Sequence, residues 1–194
     1  MKPGTRALGI AESYDGSADS EFSTLAGAVV RADRVVDGLT FDRTTVGGTD
    51  ATDAVCRLVH RDDVRFVLLS GIALSWYNVC DIGAVHERVD RPVLSVSYEE
   101  SDGLEDALER EFDGEALRRR LSIYRALPPR TPVSVGDERL YVRSVGNVDE
   151  TAVLRHFTAS GDRPEPLRVA RLSARAAHDY RFHGDGESAN EGCD

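Results

Sequence analysis

The sequence predicts a mixed α/β fold in which three antiparallel strands feed a parallel βαβ half flanked by helices. Three observations carry this. Residues 6–46 hold three successive runs of apolar or β-branched residues joined by short turns, the pattern of an antiparallel meander. From residue 47 onward, segments of helical period alternate with short apolar runs, as in parallel strands joined by crossover helices. One of those runs, VRFVLLS (64–70), is too continuously apolar for a sheet with one wet face and suits a central strand covered on both sides.

RALGIA (6–11) is the first strand, closed by the polar turn ESYDGSADS (12–20). EFSTLAGAVVRAD (21–33) is the second, and RVVDGLTFDRTTV (34–46) the third, with Val36, Leu39 and Phe41 only partly alternating. GGTDATDAVCRLVHRDD (47–63) opens on a glycine pair, offers Thr49 or Asp50 as an N-cap, and sets Ala54, Val55, Leu58 and Val59 on one helical face. After VRFVLLS, the stretch SWYNVCDIGAVHERV (75–89) reads as a helix and RPVLSVS (91–97) as another buried strand. Residues 104–127 read as one or two amphipathic helices, 132–146 as a further pair of strands, and 149–161 and 165–180 as the last helices. One domain is expected over 1–182, followed by a polar, glycine-rich and disordered tail at 183–194. This succession is that of the ribonuclease H-like architecture.

Composition narrows the function classes. No run approaches the roughly 18 to 20 apolar residues of a membrane span, and the start, MKPGTRALGI, lacks a signal-peptide core, so a cytoplasmic location is expected. Asp and Glu number 34 against 24 Lys and Arg, a formal charge of −10, and Lys2 is the only lysine. A carboxylate-rich surface nearly free of lysine suits a halophilic cytoplasm, where salt screens self-repulsion; an acidic protein from a GC-rich genome is the alternative. The charge argues against nucleic-acid binding by a broad basic face, and RRRLSIYR (118–125) reads as a solvated helix face. Cys56, Cys80 and Cys193 are widely spaced and form no zinc or disulfide pattern; the first two read as small buried hydrophobes.

Several segments together resemble endonuclease V and, more closely, the archaeal family known as domain of unknown function ninety-nine. GIAESY (9–14) resembles the G-[VI]-D-x-S-Y opening of endonuclease V, and LLSGIA (68–73) its strand-end D-G pair. DIGAVHERVDRPVLSVS (81–97) resembles the helix and strand leading to P-T-I-G-V-A-K, and RPEPLRVARLSAR (163–175) a late R-x-P-E-P-x-R-x-A-D segment. The resemblance implies a ribonuclease H-like nuclease whose acids hold a divalent metal such as Mg²⁺ or Mn²⁺ and activate water. At the matching positions this chain has Ala11, Ser70 and Arg171 instead of acids, and Tyr98 instead of the lysine. The expectation is a relative that has lost the usual nuclease acids and binds nucleic acid or a nucleotide in the ancestral cleft. A divergent metal-dependent nuclease with a rebuilt carboxylate site, and a non-catalytic scaffold, are the alternatives.

The remaining candidates each carry two readings. Glu12 and Asp15 could rebuild part of a metal site with Tyr14 stacking on a base, or form a polar turn; Glu12 points away from the face Ala11 occupies unless the strand bulges. Ser70 and Gly71 mark the strand end, where the glycine permits close backbone approach. Asn78 and Asp81, three apart, could face a ligand or cap a helix. Asp50, behind Gly47–Gly48, could join Glu12 and Asp81 as a metal ligand or cap its own helix. Glu165 and Arg168 could form an ion pair at a helix start, or Arg168 could grip a phosphate. Trp76 and Tyr77 read as packing at the cleft mouth, with base stacking as the other possibility. No histidine has ligand spacing, and SGIAL is no nucleophile elbow.

Overall fold

The computed structural model describes residues 1–14, 16, 20–159 and 163–183, with side chains to residue 181. One seven-stranded mixed sheet, in the order β3-β2-β1-β4-β7-β9-β8, organises them. Strands β1 (Arg6–Ser13), β2 (Phe22–Arg31) and β3 (Val36–Thr45) form the antiparallel meander. Helix α1 (Ala51–Leu58) then crosses to β4 (Val64–Ser70), which lies parallel to β1. A two-stranded hairpin, β5 (Ala73–Leu74) and β6 (Asn78–Val79), precedes α2 (Ile82–Val89) and β7 (Val93–Ser97), parallel to β4. Helices α3 (Glu105–Glu111) and α4 (Gly114–Ala126) follow, separated by Phe112 and Asp113, and α4 opens on Gly114, whose φ of +52° glycine adopts at little cost. The antiparallel pair β8 (Thr131–Val135) and β9 (Glu138–Val145) extends the sheet beyond β7, with Pro132 tolerated because β8 is an edge. Helices α5 (Glu150–Phe157) and α6 (Glu165–His183) complete the described chain. Asp15 and the expected tail beyond residue 183, with Cys193, lie outside the described residues.

Both faces of the sheet are covered, which is why β4 reads as an unbroken apolar run. Leu8, Ile10, Val67 and Leu69 pack toward α1 and α2 with Ala54, Leu58, Ile82 and Val85. Ala7, Leu68, Leu94 and Val96 pack on the opposite side with Val153, Phe157 and Leu167 of α5 and α6. Each such large side chain contributes about 1.5–3 kcal/mol through burial. Gly9 sets the seat of α6. A Cβ there would lie 2.1 Å from the Pro166 carbonyl carbon, so the first turn of α6 rests directly on the β1 backbone.

The helix expected over 75–89 is corrected by the structure: it starts only at Ile82, and 73–79 form the hairpin. The Asp81 carboxylate accepts from Ala84 N–H at 3.0 Å and fixes the helix start there. Upstream, Ser75, Trp76 and Tyr77 all hold positive φ (45°, 57° and 56°), which ends any helical path.

Candidate nucleic-acid interface

Ile10 pairs with Leu69, so Ala11 and Ser70 stand at the same level where β1 and β4 end. Both belong to the α6 side. Ala11 is buried against Ala28, Val30 and Ala170, and it carries no polar atom to offer a ligand. Two turns into α6, Arg171 and Arg175 project over this strand end, four residues apart on one helical face. With Ser13, Tyr14 and Ser70 they line an open cavity of about 290 Å³. Among the described residues, neither guanidinium has a carboxylate partner. The position at which the resemblance implied an acid therefore presents positive charge.

Glu12, one residue on, points to the other face, as strand alternation requires. Its carboxylate accepts from Ser75 N–H at 2.5 Å, Ser75 Oγ at 2.8 Å and Ser23 Oγ at 3.4 Å. Burial pushes its pKa above the ordinary 4.5, partly offset by these hydrogen bonds. Glu12 thereby clamps the β5–β6 turn. Three consecutive non-glycine residues in the left-handed region cost of order 1–3 kcal/mol each, and the turn is held from several sides. Ser75 O accepts from Gly47 N–H at 2.7 Å, and Tyr77 O accepts from Arg120 Nε at 3.1 Å. Arg120 is buried, lies 3.8 Å from the Phe112 ring centroid, and also donates to Gly47 O and Gly48 O, tying both loops to α4. Burial lowers its pKa from the ordinary value.

Asp50, Asn78 and Asp81 are brought near one another but into separate structural tasks. The Asp50 carboxylate accepts from Thr44 Oγ1 (2.8 Å), Thr45 N–H (3.1 Å), Thr45 Oγ1 (2.9 Å) and Asn78 Nδ2 (2.6 Å). Burial pushes its pKa up, but the bonds from Asn78, Thr44 and Thr45 outweigh this and hold it below the ordinary value. Fully buried Asn78 caps α1, not α2: its Oδ1 accepts from Ala51 N–H at 3.0 Å. Asp81 caps α2 and takes Thr52 Oγ1 as the acceptor for its own N–H at 3.0 Å. Glu165 and Arg168 form the exposed ion pair, at 2.7 Å.

A hard divalent cation needs several oxygen ligands converging on one point. Among the described residues no three His, Cys, Asp or Glu side chains do so. Glu12, Asp50 and Asp81, the three proposed ligands, are each committed to N–H or O–H donors of the protein. Among the described residues these three carboxylates thus serve turns and helix starts rather than one shared point.

On the other side of the β4 end, Gly71 borders a second cavity, of about 180 Å³. Its wall includes Ser95, Tyr124, Tyr141, Arg130 and Arg143. Arg143 donates to Pro128 O and to Tyr124 Oη (3.3 Å). Arg130 donates to Glu99 O and Ser101 O, each at 3.3 Å, and sits 4.7 Å from the Tyr141 ring centroid. Neither has a carboxylate partner among the described residues. Residues 70 and 71 thus separate two arginine-lined cavities. Among the sequence candidates, Tyr14, Ser70 and Gly71 lie here beside Arg171, which stands at an implied acid position; Arg168 is paired with Glu165 instead, and Arg175, Arg130 and Arg143 are not singled out by the sequence. The four-residue spacing of Arg171 and Arg175 was the available signal; Arg143 reaches the site only through its pairing with Ser95 across β7 and β9.

A meander running into parallel strands, with a cleft where β1 and β4 end beneath the last helix, defines a ribonuclease H-like protein. The chain belongs to the family described as Endonuclease dU, whose model matches residues 3–178. A "UPF0215 protein" of Pyrobaculum calidifontis is 35% identical over 180 residues, covering 89% of this chain and 97% of that one. The crystal structure of a protein of unknown function from Archaeoglobus fulgidus superposes with a TM-score of 0.76 at 26% identity, over 89% of this chain and 98% of that one. Endonuclease V of Ciona intestinalis, solved with a DNA containing an inosine, superposes at 0.59 with 10% identity, over 91% and 87%. The resemblance to an archaeal endonuclease V-like family stands. No helix among the described residues is long and apolar enough to cross a membrane.

Proposed function

We propose that this chain binds nucleic acid across the end of β4, with Arg171 and Arg175 holding backbone phosphate, and that it does so without the usual nuclease acids. What supports this reading is that Ala11 and Ser70, at positions where the resemblance implies acids, lie beneath two guanidiniums that have no carboxylate partner among the described residues. In a chain of net charge −10, two arginine-lined cavities flanking one strand end form a local field of the sign a phosphate chain requires. The family description makes DNA containing deoxyuridine the first ligand to test.

One observation favours a second reading. Glu12 stands in the wall of the Arg171 cavity with its carboxylate turned to Ser75 and Ser23, and the family is described as an endonuclease; a divergent nuclease would have to release that carboxylate into the cavity. Fluorescence anisotropy of end-labelled deoxyuridine, inosine and unmodified strands, DNA and RNA, addresses both readings. It is run from low to molar KCl with Mg²⁺ or Mn²⁺, and the same samples are read on a denaturing gel. Intact strands are expected to bind, with an affinity that falls as salt rises. In the Arg171→Ala/Arg175→Ala variant the slope of log affinity against log salt should shrink by about 1.5 to 2. Absence of binding, or an unchanged slope in the variant, would sink the binding reading. Cleavage that disappears in Glu12→Gln would establish the second.

A further inference from the structure

We propose that Trp76 is a nucleobase-stacking residue, presented by the β5–β6 hairpin to the strand that the arginine-lined cavities hold; this rests on the binding reading above. Trp76 is the only tryptophan in the chain, and it is 48% exposed. The neighbouring Tyr77 shows what a packing aromatic does here: its ring meets Phe112 edge-on, with centroids 6.2 Å apart, and it leans on the core. The Trp76 indole meets the Tyr77 ring edge-on at 6.1 Å and lies beside the Gly47 backbone, with Cδ1 3.5 Å from where a Cβ would stand, yet about half of it stays exposed.

The support beneath it is what distinguishes this side chain from an ordinary exposed hydrophobe. Residues 75–77 occupy the left-handed region in succession, with no glycine or asparagine among them. Glu12 holds the first of the three through its N–H and hydroxyl, and Arg120 holds the last through its carbonyl. Cys80 N–H closes the hairpin onto Ile72 O at 2.8 Å. Strain retained by so many bonds fixes the backbone from which this half-exposed aromatic projects, and preorganisation of that kind reduces the cost of ordering the turn on binding. The base of the same hairpin, Ile72 and Ala73, forms part of the wall of the Arg130–Arg143 cavity, so the strand that borders that cavity leads directly into the turn that carries the indole. An aromatic face beside phosphate-binding arginines is the arrangement single-stranded nucleic acid recognises, because every base has a π-face to stack.

The single tryptophan makes the test direct. Intrinsic emission of the wild-type protein is titrated with a deoxyuridine-containing single strand while anisotropy of the same labelled strand is followed. Emission should be quenched and shielded from acrylamide, with the midpoint of the anisotropy curve, whereas a fully abasic strand should leave emission unmoved. Trp76→Ala should weaken binding on the order of tenfold, with Trp76→Phe recovering most of it and circular dichroism confirming that both remain folded. Anisotropy that saturates while Trp76 emission stays unchanged would overturn the stacking role and leave the arginine reading intact. A wild-type protein that binds no strand would overturn both.

Discussion

On the α1 side of the sheet edge, Glu12, Asp50 and Asp81 each accept N–H or O–H donors from the protein itself. On the α6 side, Arg171 and Arg175 have no carboxylate partner among the described residues. The acids hold loops and helix ends together, whereas no ion pair among the described residues ties these two arginines to the fold. Charged groups whose partners are internal shape the molecule; those whose partners are missing face whatever the molecule meets. A similar contrast appears across the hairpin, where Tyr77 packs on the core and Trp76, edge-on to it, stays about half exposed.

The largest expected effect comes from breaking the acid side. Asp50→Ala strands the Thr44 and Thr45 hydroxyls and Thr45 N–H, while the buried Asn78 amide keeps Thr44 Oγ1 and Thr45 O, and should cost about 2–4 kcal/mol in urea unfolding. With its carboxyl held below the ordinary 3.8, Asp50 contributes stability that is present above that value and is lost as pH falls through the lower folded one. A loss much under 1 kcal/mol would mean that water replaces these bonds and that the acid side is not structural.

Glu12 sharpens the comparison through the opposite sign. Burial raises its folded pKa, so its protonated form favours the folded state; this contribution is full below 4.5 and is lost as pH rises through the raised value. Urea midpoints measured from just below 4.5 to neutral pH should show a decline in the wild type that Glu12→Gln lacks. Parallel profiles would mean that Glu12 is solvated and available to a ligand.

The smallest effect is expected at Arg168. Its pair with Glu165 is exposed, so Arg168→Ala should change stability by about 0.5 kcal/mol or less and leave DNA affinity unchanged. A loss of affinity equal to that of the Arg171 and Arg175 double variant would extend the phosphate contact along α6.

Much of this was legible in the sequence because it rests on local chemistry. VRFVLLS announces a strand covered on both faces, and Asp81 is a cap three residues before the N–H it binds. The absence of acids at Ala11 and Ser70 followed from the resemblance of GIAESY and LLSGIA to nuclease strand ends. The region 75–81 was not legible. Its apolar composition mimics a helix, and nothing about Ser75, Trp76 and Tyr77 advertises positive φ. Asn78 and Asp81 look like neighbours on one helical face, yet Asn78 serves Ala51, 27 residues earlier in the chain. Bonds of that kind are set by tertiary approach, to which periodicity is blind.

The contact of Gly9 with Pro166 has a consequence for synthesis. A ribosome makes β1 and β2 long before α6, so Ala11, Ala28 and Val30 wait without the helix that covers them until residues beyond 165 have emerged. The side chains on that face are mostly alanine and valine, which limits the adhesive surface shown by the unfinished chain during the interval. The face that later carries Arg171 and Arg175 is thus assembled late, by one helix closing a separation of more than 150 residues, a slow step by its topology.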